Sequence, residues 1–380
     1  MSTSQCALGQ LFASNTSYRV LSYYHIVLCL LGTASIFIIV KIQRNKFSLH
    51  RNVKVILGLH LLYSFTQSFG FVAVHIADLI RLSPKHDDPC DYLLPAAYVF
   101  NFRQVPVLGI YGQIVTIACI SVERTFASVL KHYEKRQFTL LVVMLGVGQF
   151  IFIIGAFYVF LAVDVDWTSK VAAFNVKETY HQEQQLVWLT HIVNHIFAPS
   201  NFILRHTELS RTFVVFLGAG IELLSIISFH ILLFVNKRRR DQLRNESTSL
   251  SLSDRYQVAE NVNVMNLLLP AVWTHFLVYG TSCVTLMLLD HIVDQTDKVA
   301  TATFLDAANI LSYYPIFIAI FMFKKYAKTR RNLFNAADVN GRVQPKKNEG
   351  DVHFEYLKAM VFEKPIQNRI TFSMKYVCCS

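Results

Sequence analysis

"VLSYYHIVLCLLGTASIFIIV", residues Val20 to Val40, runs 21 residues without one Asp, Glu, Lys or Arg. As a helix it spans about 30 Å, the hydrocarbon thickness of a bilayer. Lys41 and Arg44 follow directly, whereas Met1 to Ser17 contains no Lys or Arg. A cleaved secretory leader needs a basic start, a shorter apolar stretch and a small-residue cleavage site. The run has none of these, so a retained first span is expected.

Six further runs have the same character: Val55–Ala77, Tyr98–Ser121 (weakened by Arg103), Phe138–Val163, Thr212–Val235, Met265–Leu289 and Ala300–Phe323. Hydrocarbon admits backbone only as helices or closed barrels, because every N–H and C=O must be satisfied internally. These runs are too long and too evenly apolar for barrel strands. The expected fold is an all-α membrane protein, a seven-transmembrane-helix bundle over 20–323. Around it stand an N-terminal segment at 1–19, a short basic amphipathic helix at 324–335 and a flexible tail at 336–380. Composition agrees: 53% of residues are hydrophobic and 16% charged, with mean hydropathy +0.37, against about 25% charged in soluble domains. The net charge of +11 sits beside apolar runs without a compact nucleic-acid motif. It therefore points to a lipid bilayer and not to nucleic acid.

Lys and Arg set the orientation. The loops Lys41–Lys54, Arg124–Arg136, Lys237–Arg255 and Lys324–Arg331 hold 20 of them, and the segments on the other side hold 9. The N-terminus is thus expected outside and the tail inside. The sequon Asn15-Thr16-Ser17 then lies outside, open to glycosylation, while Asn245-Glu246-Ser247 lies inside.

"CISVERTFASVLKHYEKR", Cys119 to Arg136, places Glu123-Arg124 where the third span meets the inner surface. Two readings stand. Arg124 is an interface anchor that snorkels to headgroups, or it is a switch held by Glu123 and facing helices and released toward a cytoplasmic partner. "LSLSDRYQVAENVNVMNLL", Leu250 to Leu268, leads into the sixth span, with Tyr256 and Glu260 on one helix face, Ser251 or Ser253 as a start cap, and Arg255 and Asn261 beside them. The preceding Lys237–Arg240 cluster suits anionic headgroups, at about 1 kcal/mol per basic residue.

Together these stretches resemble the nematode serpentine chemoreceptors. In that group an E-R-x-x-A pattern closes helix three, here Glu123, Arg124 and Ala127, with Tyr133 and Glu134 after it. An L-S-x-R-[YF]-Q-x-x-E-N pattern opens helix six, here Leu252, Ser253, Arg255, Tyr256, Gln257, Glu260 and Asn261. Class epsilon is most similar, with classes alpha and beta as neighbours. The resemblance implies a G-protein-coupled-type chemosensory receptor, multi-pass in the plasma membrane of a sensory neuron. Its implied partners are a heterotrimeric G-protein and a small-molecule or peptide ligand; it needs no cofactor. Glu123, Arg124, Arg255, Tyr256, Glu260 and Asn261 are then the coupling candidates. Pro270 and Trp273 in helix six and Pro315 in helix seven are hinges or static kinks. Pro270 precedes Trp273, and "NILSYYP" (Asn309–Pro315) is not N-P-x-x-Y, so rhodopsin-like activation details do not carry over.

Ionisable groups inside a span are costly and mark function or pairing. Asp78, Arg103 and Asp306 fall near outer helix ends and Glu222 near the middle of helix five. They either form structural ion pairs, Arg103 with Asp78 or Asp306, or line a ligand pocket. Glu222 has no partner evident in the sequence. His25, His60, His75, His230 and His275 read as scattered packing residues without metal-ligand spacing. Of seven cysteines, Cys6 and Cys90 are the pair available outside, bonded or free, and Cys378-Cys379 are lipidated or bare. The loop Asp164–Arg211, 48 residues, holds no Cys and suits a lid. No P-loop, H-E-x-x-H or nucleophile arrangement appears, so no enzyme is expected. A ligand-gated channel, a transporter or a non-signalling membrane scaffold are the alternatives. No internal repeat favours a transporter, and the charge bias opposes a seven-span channel with its N-terminus inside.

Overall fold

The computed structural model describes residues 3–46, 51–130, 139–157, 170–171, 206–245, 252–292 and 297–324. Tyr133, Glu134, the amphipathic stretch after Lys324, the tail with Cys378 and Cys379, and nearly all of Asp164–Arg211 lie outside the described residues. The helices are α1 (Thr3–Ser14), α2 (Thr16–Lys46), α3 (Arg51–Leu82), α4 (Ala96–Val129), α5 (Thr139–Phe157), α6 (His206–Asn245), α7 (Leu252–Ile292) and α8 (Lys298–Ala307). A last helix, α9, covers 314–324. One two-residue ladder pairs Leu94–Pro95 with Lys170–Val171, antiparallel.

Among the described residues, six helical stretches are long and apolar enough to cross a membrane: Thr16–Lys41, Arg51–Leu82, Ala96–Val129, Phe216–Leu243, Gln257–Thr285 and Lys298–Lys324. The apolar part of α5, Leu140–Gly155, is shorter, about 24 Å at 1.5 Å per residue. Outward-facing side chains are apolar: Phe37, Leu62, Ile80, Ile151, Leu224 and Phe234 are each more than half exposed. In water such a belt drives aggregation; against lipid tails it costs nothing. The largest buried cluster joins Val53, Ile56 and Leu57 of α3, Ile117 and Ile120 of α4, Phe229 of α6, Val262 and Met265 of α7, and Ile318 of α9.

Between α3 and α4 the backbones almost touch. A Cβ on Gly70 would meet Pro106 of α4 at 2.5 Å, and one on Gly109 would meet the Gln67 backbone nitrogen at 2.5 Å. Small residues permit such closeness, and dense packing binds helices where no hydrophobic drive exists between them.

Two features differ from the expected plan. The N-terminal segment is helix α1, which lies across one end of the bundle. Its Cys6 is bonded to Cys90 in the 3-10 turn Pro89–Tyr92, and Phe12 is buried with Tyr18, Leu82, Tyr92 and Val299. The last span is interrupted. After Ala307 the chain turns through a 3-10 segment, Ile310–Tyr313, before α9. Pro315 stands in the first turn of α9, where its missing N–H leaves no bond unmade, so the break precedes the proline.

Candidate functional site

Polar side chains gather at three levels. At the basic end of the bundle, Glu123 and Arg124 of α4 are 0% and 1% exposed. The Arg124 guanidinium donates from Nε to Glu123 Oε2 at 2.5 Å and from Nη2 to Oε1 at 2.6 Å. Its Nη1 donates to Asn261 Oδ1 of α7 at 2.9 Å. Asn261 Nδ2 donates to Ala127 O at 3.1 Å, and Gln257 Nε2 to Ala127 O at 2.7 Å and Leu130 O at 3.1 Å. The last carbonyls of a helix have no partner within it; here amides of α7 supply them. From α6, Asn236 Nδ2 donates to Ser128 Oγ at 2.9 Å and Arg239 Nη1 to Ser128 O at 3.3 Å. Glu260 is buried and Arg255 half-buried on α7; of Tyr256 only the backbone is described.

At mid-bundle, Glu222 of α6 has a partner that sequence alone does not reveal. His275 Nδ1 of α7 lies 2.6 Å from Glu222 Oε1, an ion-pair separation off the angle of a straight hydrogen bond. His60 Nε2 of α3 is 2.6 Å from the Tyr314 hydroxyl of α9. The His275 ring meets Tyr314 edge-on at 4.6 Å, His60 at 6.1 Å, and stacks over Tyr279 at 6.3 Å. These histidines are thus a cluster and not scattered. His25 and His75 likewise stack at 5.1 Å, and His230 accepts from Trp273 Nε1 at 3.0 Å. Trp273 is 39% exposed, turned from the core, and α7 continues unbroken through Pro270. Gln113 Nε2 donates to Gln67 Oε1, and Gln67 Nε2 donates to Leu311 O at 3.1 Å. The break before α9 is tied both to its own turn and to other helices: Leu311 O accepts from the Tyr314 N–H and from Gln67, and Asp306 O accepts from the Asn309 N–H and lies 2.8 Å from His25 Nε2.

At the disulfide end, Asp78 is 1% exposed and pairs with Arg81 Nη2 at 2.6 Å on its own helix. Tyr18 Oη donates to Asp78 Oδ2 at 2.7 Å, and Arg81 Nη1 donates to Tyr92 O at 2.7 Å. Asp78 thus has a partner on its own helix, Arg81, and Arg103 lies within electrostatic reach of Asp306. The i, i+3 spacing of Asp78 and Arg81 was the available signal. Asn15 Oδ1 accepts from Tyr18 N at 2.9 Å and caps α2.

The comparisons accord with this architecture. A family model described as "Serpentine type 7TM GPCR receptor class ab chemoreceptor" matches residues 3–206, and one described as "Sre G protein-coupled chemoreceptor" matches residues 178–363. The expected likeness to nematode serpentine chemoreceptors holds, with class ab over the N-terminal part and Sre over the C-terminal part. Serpentine receptor class alpha/beta-14 of Caenorhabditis elegans is 25% identical over 328 residues, 83% of this chain and 75% of that protein. Serpentine receptor class beta-18 of the same organism is 24% identical over 139 residues, 35% of this chain and 37% of that protein. With a class ab match over more than half its length, the chain belongs to the serpentine seven-transmembrane chemoreceptors of class ab.

Proposed function

We propose that this multi-pass membrane protein is a chemosensory receptor that binds an external ligand at the disulfide side and signals through a heterotrimeric G-protein at the basic side. Two observations support that orientation. Basic residues concentrate at one end, and the Cys6–Cys90 bond at the other requires an oxidising compartment. In this reading α5 is the fourth span, and the protein resides in the plasma membrane of a sensory neuron.

The single observation that carries the signalling role is the burial of Arg124. An interface anchor extends its guanidinium toward headgroups; Arg124 is 1% exposed and holds Glu123 and Asn261. When α6 and α7 part from α4, Asn261 and Gln257 leave with α7. The guanidinium is then free to meet the G-protein. Glu123→Gln should raise ligand-independent signalling, and Arg124→Ala should reach the surface yet fail to couple. An N-terminal epitope should label on intact cells, with a glycan on Asn15 and none on Asn245. Labelling only after permeabilisation defeats both the topology and the receptor reading.

A further inference from the structure

We infer that the mid-bundle cluster of Glu222, His275, His60 and Tyr314 is a binding site for a small alkylammonium group. This takes from the receptor reading only that the chain has a ligand, and it names the ligand's chemistry.

The cluster joins four helices, α3, α6, α7 and α9, and all four side chains are at most 2% exposed. Its hydrogen bonding is incomplete at the carboxylate. Among the described residues, neither Glu222 oxygen receives a well-aligned hydrogen bond, and His275 Nδ1 is likewise without one. A proton shared over the 2.6 Å between His275 and Glu222 engages only Oε1, whichever group holds it. Oε2 is an acceptor only and is left over. In the neighbouring layer, Gln113 Oε1 is another buried acceptor with no donor. Buried polar atoms in folded proteins are almost always partnered, by protein, water or ligand. What Glu222 Oε2 and Gln113 Oε1 lack among the described residues is a donor.

Three ligand chemistries can be weighed against that deficit. An anion would sit against the Glu222 carboxylate with nothing to donate. An alcohol brings one donor. An ammonium brings three donors, no acceptor and the opposite charge. The surround suits it too. Tyr314 stands edge-on to His275, and Tyr279 stacks on it, so aromatic rings flank the carboxylate's partner. Rings and one carboxylate are the means by which proteins hold alkylammonium groups.

The test uses the purified full-length receptor in detergent and its unfolding midpoint. The probes are linear alkylamines from butyl to octyl, with alcohols and carboxylates of the same lengths. The amines should raise the midpoint in a saturable way and the other two series should not. In Glu222→Gln, isosteric but uncharged, the half-saturating amine concentration should rise about tenfold or more. If Glu222→Gln does not fold, Glu222→Asp keeps the charge and should still prefer amine over alcohol. No stabilisation of the wild type by any amine, or equal stabilisation by the alcohols, overturns the inference. Amine binding without any G-protein response in cells would leave this site standing and sink the receptor reading. A G-protein response to other compounds, with no amine stabilisation, would do the reverse.

Discussion

Each end of the bundle buries an acid beside an arginine, and the two pairs are held differently. At the disulfide end, Asp78 and Arg81 lie one turn apart on α3 and are completed by the Tyr18 hydroxyl and the Tyr92 carbonyl. Tyr92 belongs to the turn that carries Cys90, and Cys90 is bonded to α1. The shell around that pair is closed by a covalent bond. At the basic end, Glu123 and Arg124 are consecutive on α4, and their neighbours are amides of α7 and α6. No disulfide closes that shell, and the bonds described across helices there are hydrogen bonds that water or a partner protein can replace. In the proposed reading the same chemistry serves as a fixed frame at one end and as a releasable latch at the other.

The frame should show the largest effects. Arg81→Ala leaves Asp78 buried beside Tyr18 alone, and losing one member of a buried pair costs about 3–5 kcal/mol. The unfolding midpoint and surface level should both fall steeply, and the double reversal Asp78→Arg with Arg81→Asp should recover part of the loss. A wild-type midpoint for Arg81→Ala would show that this end is no frame. Next in size is Cys6→Ser. The bond closes a separation of 84 residues, and loss of a native disulfide costs about 2–5 kcal/mol. Reductant on the wild type should match the mutant's midpoint and leave the mutant unmoved.

Much of the latch and little of the frame could be read from the sequence, for physical reasons. Long apolar runs announce membrane helices because hydrocarbon tolerates nothing else. Glu123-Arg124 stands out because two charges beside such a run are conspicuous. The helix α1 is hidden, since its twelve residues carry no strong periodicity and are held by a disulfide and by packing on other helices. The pairing of Glu222 with His275 crosses from α6 to α7, 53 positions away, and no spacing rule spans that distance. The break before α9 is hidden as well. It comes ahead of Pro315, and the side chains that reach its carbonyls, Gln67 and His25, belong to other helices.

The latch should respond in signalling more than in stability. Arg124→Lys keeps the charge but loses the planar fork that grips both Glu123 oxygens and Asn261 at once. Coupling energies between sites run about 1–3 kcal/mol, so the Lys variant should reach the surface normally and lose most of its ligand-driven response. Full signalling from it at equal surface level would return Arg124 to the role of a membrane anchor.

The smallest effect, and the sharpest for the comparison, belongs to Gln257. Its Nε2 donates to Ala127 O and Leu130 O, the carbonyls that end α4. Gln257→Leu keeps the bulk and deletes both donations. Each neutral hydrogen bond contributes about 0.5–1.5 kcal/mol net, and carbonyls at a helix end next to the surface regain water once α7 moves off. The midpoint should therefore shift little. The closed arrangement alone loses these bonds, so the balance tips toward the parted state, and basal signalling should rise several-fold. The corresponding loss at the other end, Tyr18→Phe, removes the Tyr18 donation to Asp78 from a shell that the disulfide holds shut. It should lower the midpoint and leave basal signalling alone. If Gln257→Leu instead lowers the midpoint as Tyr18→Phe does, with basal signalling unchanged, then α7 is fastened to α4 as firmly as α1 is to its turn, and the two ends do not differ as frame and latch.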